Sequence, residues 1–232
     1  MFRFKHFTVH QDKCAMKVGT DGVLLGAWTD TKNTTRILDV GTGTGLLALM
    51  LAQRAQNALI DAIEIEENAC IQATENVANS QWKERINVIH QALQDFYPAE
   101  KYDLIVSNPP YFLHSLKNPD VAKKTARHSD TLMPNELIAH AKRLLHETGR
   151  LSVIYPTTEA LLFIKEAEKE KLHCSRITKV FPNINSKEKR LLMEFSVTSS
   201  ECRIDEMYIE NNARHEYSEE YKELTKDFYL NF

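Results

Sequence analysis

LDVGTGTGLLAL, residues 38–49, runs from a β-like segment into an apolar helical one through three closely spaced glycines. Gly41, Gly43 and Gly45 permit positive φ and let a ligand approach the backbone closely. Gly43, Gly45 and Ala48 satisfy the spacing G-x-G-x-x-A, a nucleotide-binding fingerprint where it joins a strand to a helix. Glu64 closes the next β-like run, about 20 residues on, where an acid accepts hydrogen bonds from both ribose hydroxyls. Loop and acid together point to an adenosine-bearing cofactor and leave NAD and S-adenosylmethionine both open. The bland alternative is a tight strand-to-helix turn and a surface glutamate.

Outward from this loop, short β-like runs alternate with helical patterns. Residues 36–40, 59–65, 86–90, 102–107 and 149–156 read as strands, and 46–56, 67–80, 134–146 and 158–171 as helices. The alternation implies βαβ units and a mostly parallel sheet covered on both faces. Residues 172–180 and 189–197, joined by a loop without a helix, predict an antiparallel hairpin at one edge. The expected fold is therefore α/β and doubly wound, preceded by a β segment near Phe2, Phe4, Phe7 and Val9. Residues 218–230 read as an amphipathic helix with Tyr221, Leu224 and Phe228 on one face, and Trp28 and Met50 as core.

The 232-residue chain is 43% hydrophobic and 26% charged, ordinary for a globular protein with a sizeable core. Its longest apolar runs, VLLGAW and LLALMLA, fall far short of the roughly 18 residues of a membrane span. The N-terminus MFRFKHFTVHQD lacks the apolar core of a secretory signal. Four cysteines without metal-like spacing and nine histidines without an HExxH pattern predict no metal and reduced thiols in a cytoplasmic protein. Net charge is −3, yet residues 201–232 hold nine acids and four bases, which leaves +2 on the first 200. A polyanionic partner would therefore need a local basic patch.

VSNPPYF, residues 106–112, ends the fourth predicted strand of the sheet with an amide, two prolines and two rings. An exocyclic amine on a base or amide is a poor nucleophile because its lone pair is delocalised. A side-chain amide oxygen at Asn108 and the Pro109 carbonyl can accept its two hydrogens, drawing the nitrogen toward tetrahedral geometry. Pro110 stiffens the pair, which is a positioning contribution. Tyr111 offers a face on which a planar group stacks, worth roughly 1–3 kcal/mol. A plain turn is the alternative reading, but a hydride-transfer enzyme has no use for this one. In combination with the glycine loop it selects S-adenosylmethionine.

DVGTGTG, IEIE and SNPPYF together resemble the class I S-adenosylmethionine-dependent methyltransferases that modify planar amino groups, with their Rossmann-like, seven-stranded sheet. FKHFTVHQDKCAMKVGTDGVLLGAW near the start and EYSEEYKELTKDFYLNF at the end match something narrower. Over essentially its whole length the chain is similar to the bacterial tRNA(Val) adenine-N6 methyltransferase family, which methylates adenosine 37 beside the anticodon. The resemblance implies one domain over 1–232, with 1–30 lying over the cofactor site and 201–232 forming an edge segment. Gly41, Thr42 and Gly43 would line the methionine part of the cofactor, with Thr20 and Asp21 near its amino-acid end. Glu64 would hold the ribose; Asp39, Ile65, Leu93 and Asn108 complete the implied set. Many relatives carry an acid after the third strand for the adenine amino group. Here the run is HQALQDF, which leaves that contact to backbone at Ala92 and Leu93.

The implied partner is the tRNA anticodon stem-loop, with no membrane and no obligate protein partner. A base in that loop must be splayed out to reach the methyl donor. Residues 112–133 carry Lys117, Lys123, Lys124, Arg127 and His128 against the acid Asp120, and Lys187, Lys189 and Arg190 form a second basic group. Phosphate contact is the functional reading, and a solvated charged loop the bland one. Phe112 is a candidate stacking or packing ring. Three alternatives remain: the same chemistry on protein glutamine, another RNA base or DNA adenine; a non-catalytic RNA-binding protein; and a nicotinamide-dependent dehydrogenase.

Overall fold

The computed structural model describes residues 1–110 and 132–231. The chain starts with a small antiparallel pair, β1 (Phe2–Arg3) and β2 (Thr8–Val9), followed by α1 (Thr20–Trp28). Strands β3 (Arg36–Val40), β4 (Leu59–Glu64) and β5 (Ile86–His90) then alternate with α2 (Leu46–Arg54) and α3 (Glu67–Ala78). Next come β6 (Tyr102–Ser107), α4 (Pro134–Leu144), β7 (Leu145–Pro156) and α5 (Thr157–Lys169). The chain closes with β8 (His173–Asn183), β9 (Arg190–Ser196), β10 (Arg203–Glu210) and α6 (Glu219–Thr225).

The main sheet has the order β10-β8-β9-β7-β6-β3-β4-β5. β5 through β7 pair in parallel and β9 runs antiparallel to both β7 and β8. The class is as expected, with one correction: eight strands stand where seven were expected, and the hairpin is not the edge. β10 pairs in parallel with β8 over Arg203–Glu210, filling the edge that β8 would otherwise expose. Its half-exposed, charged face is how an edge strand avoids pairing with another chain.

Consecutive strand residues feed opposite faces. Ile37, Leu104, Ile154 and Leu192 join the core under α1 and α2, whereas Leu38, Ile105, Val153 and Met193 join the core under α4 and α5. The N-terminal rings enter the first of these cores: Phe4 stacks on Phe7 at 4.6 Å, and both are buried. Tyr221 and Phe228 are buried against it as the C-terminal pattern implied, although the helix itself spans only Glu219–Thr225. Among the described residues no helix is long and apolar enough to cross a membrane.

β3 lies between β4 on one side and β6 on the other, so the strand order reverses at its carboxyl end. In open α/β sheets that crevice is where ligands bind. The glycine loop follows β3 directly, and Asn108 follows β6 beside it.

Candidate active site

The loop after β3 is shaped by its glycines. Gly41, Gly43 and Gly45 have φ of +70°, +56° and +82°, a region that L side chains avoid. The N–H groups of Gly41 and Thr42 donate to the Ile63 carbonyl at 3.0 and 3.1 Å, which ties the loop to β4. A Cβ at Gly41 or Gly43 would meet nothing within 4 Å, whereas one at Gly45 would touch Ala73 at 3.5 Å. The first two glycines thus face open space, and the third sits where α2 packs against α3.

Beneath the loop, Asp39 is fully buried. Its Oδ2 accepts from Thr42 Oγ1 at 2.6 Å and from the Ala48 N–H at 3.1 Å, in the first turn of α2. Burial pushes its carboxyl up to about 7, aided by the nearby Glu64 charge and opposed by those two hydrogen bonds. Its Oδ1 has no partner. A buried polar atom left unpaired costs free energy, and a ligand's donor is one way to satisfy it.

Glu64 ends β4 with a nearly buried carboxylate. Oε2 accepts from the Gly43 N–H at 2.8 Å, and Oε1 accepts from the N–H groups of Ile65 and Glu66 at 2.9 and 3.0 Å. The side chain is fixed before any ligand arrives: three of its four lone-pair sites are taken, which leaves one on Oε2. Glu64, Ile65, Ala92 and Leu93 line a small cavity of about 50 Å³ that also reaches Gly41.

On the other side of Gly41 a larger cavity of about 450 Å³ opens. Thr42, Gly43, Thr20, Asp21, Asn108 and Arg190 are among its walls. Asn108 arrives there because Ser107 Oγ donates to the Val40 carbonyl at 2.8 Å, locking the ends of β6 and β3 together. Asn108 is half-buried, Pro109 buried and Pro110 exposed. α1 reaches the same point through Gly22, whose added Cβ would lie 3.8 Å from Asn108 Nδ2 and 2.9 Å from Leu46 Cδ2.

Residues 10–18 form a strap along α3 and the glycine loop. Asn76 Oδ1 accepts from the His10 N–H at 2.9 Å, while its Nδ2 donates to the carbonyls of His10 and Thr44, each at 2.8 Å. Gln72 Oε1 accepts from the Lys13 N–H at 3.1 Å, and Gln11 Oε1 from the Val18 N–H at 2.8 Å. Met16, Lys17 and Val18 thereby wall the larger cavity, a contribution the sequence reading missed although MKV directly precedes GTDG. Cys14, in the strap, is pushed up to about 11 by burial and by the Glu64 and Glu66 charges, so it stays a thiol near neutral pH.

The remaining expected residues fall in three groups. Arg190, expected with the surface bases, sits in the larger cavity, where its Nε donates to Asp21 Oδ2 at 2.8 Å and joins β9 to α1. Lys187 and Lys189 are exposed at the β8–β9 turn. Tyr111, Phe112, Lys117, Lys123, Lys124, Arg127 and His128 lie outside the described residues.

A glycine cradle with room above it, an orphaned buried carboxylate oxygen and a fixed acid at the next strand fit an adenosyl cofactor carrying an ammonium group. Fold and site define a class I methyltransferase that takes S-adenosylmethionine. The methyltransferase small domain family matches residues 15–164. The chain is 50% identical to the tRNA1(Val) (adenine(37)-N6)-methyltransferase of Parabacteroides distasonis, over 99% of this chain and 97% of that one. It is 48% identical to the protein of the same name from Bacteroides thetaiotaomicron, with the same coverage. The chain belongs to the tRNA1(Val) (adenine(37)-N6)-methyltransferase family. Among solved structures, Atu636 of Agrobacterium tumefaciens, a predicted O-methyltransferase, shares the fold with a TM-score of 0.69 at 19% identity, covering 90% of this chain and 96% of that one.

Proposed function

We propose that this chain transfers a methyl group to N6 of adenosine 37 in tRNA1(Val), beside the anticodon, in the bacterial cytoplasm. The observation that carries the reading is that Asn108 lines the same cavity as Gly41, Thr42 and Gly43. Bound S-adenosylmethionine supplies an electrophilic methyl carbon on a sulfonium. Gly41, Thr42, Gly43, Thr20, Asp21 and Asp39 hold its amino-acid end, and Glu64, Ile65 and Leu93 its adenosine. The Asn108 amide oxygen and the Pro109 carbonyl accept the two hydrogens of the target amine, localising its lone pair. Pro110 keeps the acceptors rigid, and Tyr111 stacks on the base. The methylated nitrogen is strongly acidic until it sheds a proton, so no base of tuned pKa is needed.

Lys187 and Lys189, with Phe112, Lys123, Lys124 and Arg127, take the anticodon stem-loop, mostly through phosphates. The chain acts as one methyltransferase domain in which 1–30 closes over the cofactor and 201–232 seals the sheet edge. Mass spectrometry of nucleosides from individual tRNAs tests the reading. Deleting the gene removes N6-methyladenosine from tRNA(Val) and restoring it returns the mark; an unchanged nucleoside profile refutes the assignment.

A further inference from the structure

α3 presents two side-chain amides, Gln72 and Asn76, which a spacing of four residues puts on one face of the helix. Both are 1% exposed, and neither lines the larger cavity. A buried carboxamide is unfavourable unless its polar groups are paired, so packing alone would be better served by an apolar side chain. Ala73, beside them on the helix, is where Gly45 of the glycine loop makes its close approach. This face of α3 therefore meets the loop as well as the strap.

Asn76 divides its hydrogen bonds between two segments. With the strap it exchanges a pair, accepting the His10 N–H on Oδ1 and donating Nδ2 to the His10 carbonyl. The same Nδ2 donates to the carbonyl of Thr44, a residue that walls the larger cavity. Three of the four hydrogen-bonding positions of one amide are thus in use. Gln72 holds the next point of the strap: Oε1 takes the Lys13 N–H, and Nε2 donates to Glu75 Oε2 at 3.2 Å. The other oxygen of Glu75 pairs with the Lys13 ammonium. Beyond Lys13 the strap folds on itself, as Gln11 accepts the Val18 N–H and the Lys17 ammonium donates to the carbonyls of Gln11 and Cys14. Anchoring residues 10–13 therefore sets Met16, Lys17 and Val18 against the cavity.

We propose that Asn76, assisted by Gln72, is a positioning residue for cofactor capture: one buried amide clasps the strap and the glycine loop together and sets the cavity between them before the cofactor arrives. Walls that need no ordering raise affinity by removing an entropic cost of binding, and they leave the chemical step alone. Asn108 reaches the cavity from β6 and is held through Ser107, independently of the clasp. The inference rests on the proposed placement of the cofactor's amino-acid end in this cavity.

The test uses the full chain and S-adenosylmethionine as the probe. Asn76→Ala removes all three hydrogen bonds at once. Its dissociation constant for the cofactor, measured by calorimetry, and its cofactor KM should both rise about tenfold, with kcat at saturating cofactor and tRNA within about twofold. Val77→Ala, which trims a buried apolar side chain of the same helix, is the structural control. It should lower the melting temperature and leave cofactor affinity within about twofold. Equal losses of affinity in the two variants, or none in Asn76→Ala, overturn the positioning role. Should Asn76→Ala fail to fold, hydrogen exchange of the cofactor-free wild type decides: the amides of His10 and Lys13 should be strongly protected, and exchange at the rate of an open loop overturns a preformed clasp. A wild type that binds no S-adenosylmethionine overturns instead the placement of the cofactor on which the inference rests.

Discussion

The two sides of the cleft at Gly41 are built from different materials. The smaller, about 50 Å³, takes its walls from β3, β4 and the segment after β5, and Glu64 is held there by three backbone N–H groups. The larger, about 450 Å³, joins Gly41, Thr42, Gly43, Thr44, Leu46 and Leu47 to residues 16–22, Asn108 and Arg190, with Asp21 and Arg190 meeting across 169 positions of chain. One side is a local product of consecutive βαβ units and is fixed by backbone. The other exists only once distant segments converge. On the proposed reading, ribose recognition at Glu64 and amine activation at Asn108 lie on opposite sides of Gly41, and single substitutions should split them.

The largest effect is expected at Asn108. Asn108→Ala removes a preorganised acceptor that acts in the transition state, which typically costs about 10²–10³ in kcat. Affinity for S-adenosylmethionine, measured by calorimetry, should stay within a few fold because the glycine cradle is untouched. Glu64→Gln should do the reverse. It removes the charge from hydrogen bonds worth roughly 1.5–3 kcal/mol each, so cofactor affinity falls about 10- to 100-fold while kcat at saturating cofactor changes little.

A smaller loss is expected from Gly43→Ala. Its φ of +56° strains any residue with a Cβ, by roughly 1–2 kcal/mol, and the Cβ would enter the open space proposed for the cofactor. Thermal unfolding and cofactor titration should both register it. The last effect is one of pH. Asp39 sits at about 7 in the folded protein against an ordinary 3.8, so the native state holds a proton that the unfolded chain has released. The stability this provides is complete below about pH 4 and lost as pH rises toward 7. Asp39→Asn cannot titrate, and its melting temperature should vary less than that of the wild type across that interval.

The local side of this comparison was the legible one. β3, β5 and β6 coincide with their sequence runs, and the glycine loop meets Glu64 at the crevice, since each depends on neighbours in sequence. α1 went unread as a helix because seven of its nine residues are buried, which erases the amphipathic period. β10 hid in an acidic segment because an edge strand wears charge. Arg190 looked like a surface base because nothing near it in sequence reveals Asp21, and only the pairing of β9 with β7 brings the two together. Met16, Lys17 and Val18 were missed for the same reason: the Asn76 and Gln72 side chains that hold the strap lie about 60 residues away, in α3.

The most direct measurement compares Asn108→Ala and Glu64→Gln in one experiment. S-adenosylmethionine binding is titrated calorimetrically, and single-turnover methyl transfer to tRNA(Val) is timed at saturating cofactor. The predicted result is a crossed pattern: Asn108→Ala binds cofactor nearly as the wild type does and transfers almost nothing, whereas Glu64→Gln binds weakly and transfers at close to the normal rate. Parallel loss of binding and transfer in both variants, or full transfer by Asn108→Ala, would contradict a cleft divided between ribose recognition at Glu64 and amine activation at Asn108.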